Sequence, residues 1–76
     1  MNKDLAICKV EIELNSATEA FGSFASPHEG LAIIREEYKE LEAEVFKQFN
    51  VRTKSNMAKE ACQIAAMAIC FMIDLC

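Results

Sequence analysis

The sequence is poor in chain breakers: one proline and two glycines occur, all within residues 22–30. That leaves a single principal break, and everything outside it is free to be helical. The four cysteines, Cys8, Cys62, Cys70 and Cys76, show neither a disulfide framework nor a C-x-x-C pair, which excludes a stapled scaffold and a thiolate zinc site. Cys62 and Cys70 would stand about 12 Å apart along a helix, too far to bridge. A reduced, cytoplasmic chain is therefore expected. Met1-Asn2-Lys3-Asp4 leads into alternating charges and not an apolar core, so no secretory signal is read there. The longest apolar run, residues 61–73, falls short of the roughly 20 residues that span a bilayer, and no membrane partner is expected. Nor is there an excess of basic residues. A net charge of -4 opposes stable binding to nucleic acid or to an anionic membrane.

What is present is apolar. Hydrophobic residues make up 53% of only 76 positions. A chain of this size forms one domain, 1–76, and buries only about 60% of the surface its unfolded form exposes. Without disulfides, association supplies the missing burial, and a homodimer or homotetramer is expected.

Glu60 is the most informative residue, because no further charge follows it until Asp74 and only Gln63 is polar in between. A helix apolar on every side must be covered on most of them. A carboxylate at its mouth then needs compensation. One helix earlier, Glu36, Glu37, Glu40, Glu42 and Glu44 are five of the twelve acids, whereas residues 47–59 carry Lys47, Arg52, Lys54 and Lys59 without an acid. An acidic cluster beside a basic segment suits a metal-bound phosphate ligand, and equally suits two solvated surfaces of different charge.

Three helices are predicted, at about 5–21, 27–48 and 55–75. Ser26-Pro27-His28-Glu29 has the form of a capping box, with Ser26 as N-cap and Pro27 at the first helical position. Leu31, Ile34, Tyr38, Leu41 and Val45 then draw an apolar packing stripe. Glu37, Glu40 and Glu44 fall within about 60° of one another on its flank, and Glu36 lies further toward solvent. A short connection makes the second and third helices antiparallel, which brings Glu60 opposite Glu40 and Glu44. The first segment reads two ways. Cys8, Val10, Ile12 and Leu14 alternate with charges like an edge strand, while Ile7, Val10, Leu14, Ala17 and Phe21 form a heptad-like stripe. A lone strand would leave its edge unpaired, so helix is expected.

The run His28-Glu29-Gly30-x-Ala32-x-x-x-Glu36-Glu37-x-x-Glu40-Leu41-x-x-Glu44-Val45, with Met57-x-x-Glu60-Ala61-x-Gln63-x-Ala65-Ala66-Met67-Ala68, resembles the MazG-like branch of the all-α nucleoside triphosphate pyrophosphohydrolases. The resemblance covers residues 21–74. It implies an all-α fold of three helices that completes a helical bundle by homo-oligomerisation, and a Mg2+ cofactor held by acidic residues of an E-E-x-x-E motif and a later E-x-x-D motif. Glu37, Glu40 and Glu60 take the ligand positions, and Glu36 is the less inward catalytic member. Gln63 stands where the aspartate is usual. Its amide oxygen can still ligate Mg2+ but brings no charge. Glu44 is a candidate to complete the shell. Asp74 lies about 21 Å along the helix from Glu60 and cannot join the site within one chain.

The activity implied is Mg2+-dependent hydrolysis of a nucleoside triphosphate to its monophosphate and pyrophosphate. Position suggests Arg52, Lys54 and Lys59 as partners of the substrate phosphates. His28, in the first turn of its helix, reads as simple cap packing and not as a catalytic or ligand residue. The alternative function is a non-catalytic helical oligomer that binds nucleotide or a protein partner. Gln63 is the residue that favours it.

Overall fold

A computed structural model describes the backbone of residues 1–76 and all side chains other than that of Phe21. The chain forms three helices and, among the described residues, no strand: α1 is Lys3–Phe21, α2 Pro27–Val45 and α3 Lys54–Leu75. Each begins with an oxygen-bearing side chain that accepts an otherwise orphaned helix N–H. Asn2 Oδ1 accepts from Leu5 at 2.8 Å, Ser26 Oγ from Glu29 at 3.1 Å and Thr53 Oγ1 from Asn56 at 3.0 Å. The capping box closes one residue earlier than its usual form, because Glu29 Oε1 accepts from the Ala25 N–H at 3.3 Å.

The ambiguity of the first segment resolves as helix. Val10 and Leu14 are half-buried and Ala17 is buried, as the heptad-like stripe requires, whereas Ile7 is exposed. The Phe21 end of that stripe lies outside the described side chains. α1 stops at Gly22, whose φ of 69° belongs to the region glycine enters without strain. Helix α2 ends at Val45, short of the expected Gln48. Past Val45 the next apolar residue, Phe46, is 80% exposed, so no packing holds a further turn in place. The Arg52 guanidinium instead donates to the Val45 carbonyl at 3.3 Å and places a cation at the helix C-terminus.

Helix α3 is the hub. α1 and α2 each pack against it, and among the described residues no packing joins α1 to α2. The Cys62 thiol meets the Lys9 carbonyl at 3.3 Å and Cys70 meets Thr18, so α1 and α3 run the same way. Gly30 lies against Phe71 and Leu75, so α2 runs antiparallel. A Cβ on Gly30 would come within 2.7 Å of the Phe71 ring. The glycine is therefore a close-approach point inside α2 and not part of the break.

That close approach rotates α2 relative to the packing stripe expected from sequence. Of that stripe Ile34 and Leu41 are half-buried, along with Glu37 and Glu44 and next to the buried Gly30, while Leu31, Tyr38 and Val45 are exposed. The groove left between α1 and α2, floored by α3, is where the acidic residues meet. Among the described residues, no helix is long and apolar enough to cross a membrane. All four cysteines are free thiols.

Candidate metal centre

Glu37 and Glu40 sit one turn apart on α2, and Glu60 comes from the start of the antiparallel α3. One carboxylate oxygen from each can be chosen so that all three lie within 4.8 Å of one another. Crowded like charges resist ionisation. Partial burial first, then the charge and hydrogen bonding of Glu40, push the Glu37 carboxyl up from 4.5 to about 7. Glu60 is shifted in the same direction, by burial and then by Glu40, with Lys59 opposing.

Gln63 lies between two of the three. Its amide nitrogen is the end that can satisfy both neighbours, donating to Glu37 Oε2 at 2.9 Å and to Glu60 Oε2 at 3.0 Å. In this arrangement the residue acts as a donor bridge between the carboxylates. Ligation of a cation by its oxygen would require the amide to turn over.

The groove beside the triad has a volume of about 330 Å³ and is bordered by Glu36 and Glu37 of α2, Gln63 and Met67 of α3, and Glu13 of α1. Glu36 is exposed there and stands outside the triad. Glu13 was not singled out by the sequence, where it is one of several alternating acids. Once α1 is a helix, however, it falls four residues before Ala17, on the edge of the buried stripe, and its charge contributes to the raised Glu37.

The other acidic residues have different tasks. Glu44 pairs through Oε1 with Lys47 Nζ at 2.8 Å, leaving its Oε2 buried without a partner, and its charge also acts on Glu60. Asp74 Oδ2 accepts the Phe24 N–H at 2.9 Å and ties the α1–α2 connection to the end of α3. That role keeps it away from the triad. His28 is exposed and does not border the groove.

The basic residues divide. Lys54 and Lys59 border a second, open hollow of about 510 Å³ together with Lys9, and Glu13 borders both hollows. Arg52 is not among them: besides capping α2, its guanidinium lies 5.8 Å from the centre of the Phe49 ring.

The triad offers carboxylate oxygens only, from two antiparallel helices, and oxygen donors are the kind a hard cation takes. Comparison with protein-family models, with curated proteins and with solved structures found no match.

Proposed function

We propose that the chain is a Mg2+-dependent nucleoside triphosphate pyrophosphohydrolase of the MazG-like kind, working in the cytoplasm as a homodimer or homotetramer. The observation that carries this reading is the convergence of Glu37, Glu40 and Glu60 oxygens within 4.8 Å at the edge of a groove. These three residues would hold Mg2+, which when bound supplies neutralising charge to phosphate oxygens and a water of lowered pKa.

The remaining work falls to the chain. Water attacks a phosphorus of the triphosphate, the anhydride bond between the α and β phosphates breaks, and the products are nucleoside monophosphate and pyrophosphate. Glu36, exposed on the groove beside Glu37, accepts the proton from the attacking water. Lys54 and Lys59 face the hollow that meets the groove at Glu13, where their charge would offset that of the departing pyrophosphate. Arg52 supports the site indirectly, by fixing the connection between the two ligand-bearing helices.

A second reading has its own observation. The Gln63 amide already links two of the carboxylates, as suits a scaffold that binds nucleotide or a protein partner without turnover. Pyrophosphate release from a panel of nucleoside triphosphates, with Mg2+ and with chelator, separates the two. Metal-dependent release supports the hydrolase. Tight nucleotide binding without release on any substrate replaces it with the binding module.

A further inference from the structure

The groove is longer than the triad needs. From Glu37 it runs back along α2 to Glu29, about 12 Å at 1.5 Å per residue, which leaves room for a ribose and one base. Its volume of about 330 Å³ falls within the range of small-molecule sites. One turn past Glu13, Glu37 and Gln63, in the direction away from Glu60, the three helices present Ala17, Ile33 and Met67. That end is therefore apolar. Phe24 of the α1–α2 connection closes it, half-buried and fixed in place because its N–H donates to Asp74 Oδ2 at 2.9 Å.

The polar groups around this space are acceptors almost throughout. Glu13, Glu29, Glu36 and Glu37 border it, and among the described residues no Lys, Arg or His does. Donors at its edge are already engaged. The Gln63 amide nitrogen goes to Glu37 and Glu60, the Gly22 N–H to the Thr18 carbonyl at 3.3 Å and the Ala25 N–H to Glu29 Oε1 at 3.3 Å. The Ser23 hydroxyl can serve either way. A carbonyl brought to this end would face carboxylate oxygens and stay unpaired, whereas an amino group would be paired. Glu29 stands one turn beyond Ile33, and with Oε1 held by the cap its Oε2 is left to a ligand.

We propose that this end of the groove takes the base of the nucleotide and selects bases that carry an exocyclic amino group, with Glu29 accepting from that group and Phe24 stacking on the ring. The proposal rests on the nucleotide reading of the site, which the hydrolase and the binding module share, and adds the edge of the base that is read. Cytosine and adenine carry an amino group where uracil and hypoxanthine carry a carbonyl. That swap turns a donor into an acceptor at one position and changes size little, so the lining discriminates by pairing and not by shape. Charge fixes the orientation of the ligand. The carboxylates along the groove repel phosphates from the apolar end and tolerate an uncharged base there, which leaves the phosphates at the triad, where a cation would offset them.

The test needs neither metal nor turnover. Free nucleosides are titrated into the full chain with chelator present, and binding is followed by chemical shifts of the labelled protein in two matched pairs, cytidine against uridine and adenosine against inosine. The amino-bearing member of each pair should bind roughly tenfold more tightly, as one hydrogen bond to a charged acceptor gives, with shifts at Phe24 and Met67. Glu29→Gln keeps the cap, since glutamine also serves in a capping box, but offers an amide donor in place of a carboxylate oxygen, and the preference should fall to about parity. Phe24→Leu should weaken all four nucleosides alike, by about tenfold, and leave the preference unchanged. Equal binding within both pairs, tighter binding of uridine or inosine, or no shift at Phe24 and Met67 with any nucleoside overturns the inference. A preference that survives Glu29→Gln in a chain of unchanged helicity does so too; if that variant loses helix, the paired nucleosides on wild type decide. Metal-dependent pyrophosphate release with no preference among bases overturns this inference and leaves the hydrolase reading standing. A base preference without release leaves the inference standing on the binding module.

Discussion

Raising the pH from about 4.5 to 7 should destabilise the metal-free protein, and Glu37 should be the largest single cause. In the folded chain its carboxyl is held up at about 7, against 4.5 as the ordinary value, by burial and by Glu40 and Glu60. The folded state therefore keeps a proton that the unfolded chain has released. Stability is fully present below the unfolded value and is lost as pH rises through the folded one. At about 1.4 kcal/mol per unit the shift corresponds to at most about 3 kcal/mol, and because the side chain is only partly buried, screening by solvent brings the expected loss to about 1 kcal/mol. Glu60 shifts in the same direction and adds to it. Urea unfolding midpoints across this window, at one protein concentration and with chelator present, measure the loss. Glu37→Gln should flatten the curve. Saturating Mg2+ should reverse it, since a cation that displaces the Glu37 proton binds more tightly as pH rises, contributing about 2.7 kcal/mol at a hundredfold excess over Kd. A stability that rises with pH over this range, or a slope that Glu37→Gln leaves unchanged, would refute the account of the triad.

Gly30→Ala should cost about 1 kcal/mol, because overpacking against the Phe71 ring outweighs a helix-propensity gain of about 1 kcal/mol. In a Phe71→Ala background the same change should become stabilising; an unaltered sign in a double-mutant cycle would contradict the close approach of α2 and α3. Gln63→Asp should lower metal-free stability by about 2 kcal/mol, through loss of two hydrogen bonds to carboxylates and an added like charge, while tightening Mg2+ binding in calorimetry about tenfold. Weaker Mg2+ binding in that variant would show that the bridging amide is not what limits the site. Asp74→Ala should cost about 1 to 2 kcal/mol and speed hydrogen exchange at Phe24, with Mg2+ affinity unchanged. A change in affinity would place Asp74 in the site after all.

The helices were legible because their signals are local. Ser26 and Pro27 define a start that no neighbour can override, and the paucity of glycine and proline leaves the rest of the chain uninterrupted. The grouping of Glu37 and Glu40 was legible for the same reason, since spacing along one helix fixes it. Other features depend on partners that periodicity does not name. Glu13 joins the groove only once α1 is placed alongside α3. Arg52 lies in the same basic segment as Lys54, yet the turn sends it back to the Val45 carbonyl and away from the hollow. The rotation of α2 was hidden because Leu31, Tyr38 and Val45 form as regular a stripe as any buried one. It is the missing Cβ of Gly30 that directs α3 to the neighbouring side.

In the proposed metal site, Gln63 ties stability to metal binding through charge. With aspartate in its place the site would gather four carboxylates, favouring the metal on its own but setting more negative charge against an incoming triphosphate. With glutamine two amide hydrogen bonds link Glu37 and Glu60, and on the proposed function part of the ligand shell must come from elsewhere. The phosphate oxygens of the substrate are of the right kind, because Mg2+ completes its octahedron readily from phosphates and water. On the proposed function, metal and triphosphate then bind with positive linkage, each raising the affinity for the other by the same factor. Mg2+ titrations with and without a non-hydrolysable triphosphate analogue should show that mutual gain, and Gln63→Asp should shrink it by making metal binding independent of the nucleotide. Equal Mg2+ affinity in both titrations would leave the glutamine with a purely structural role.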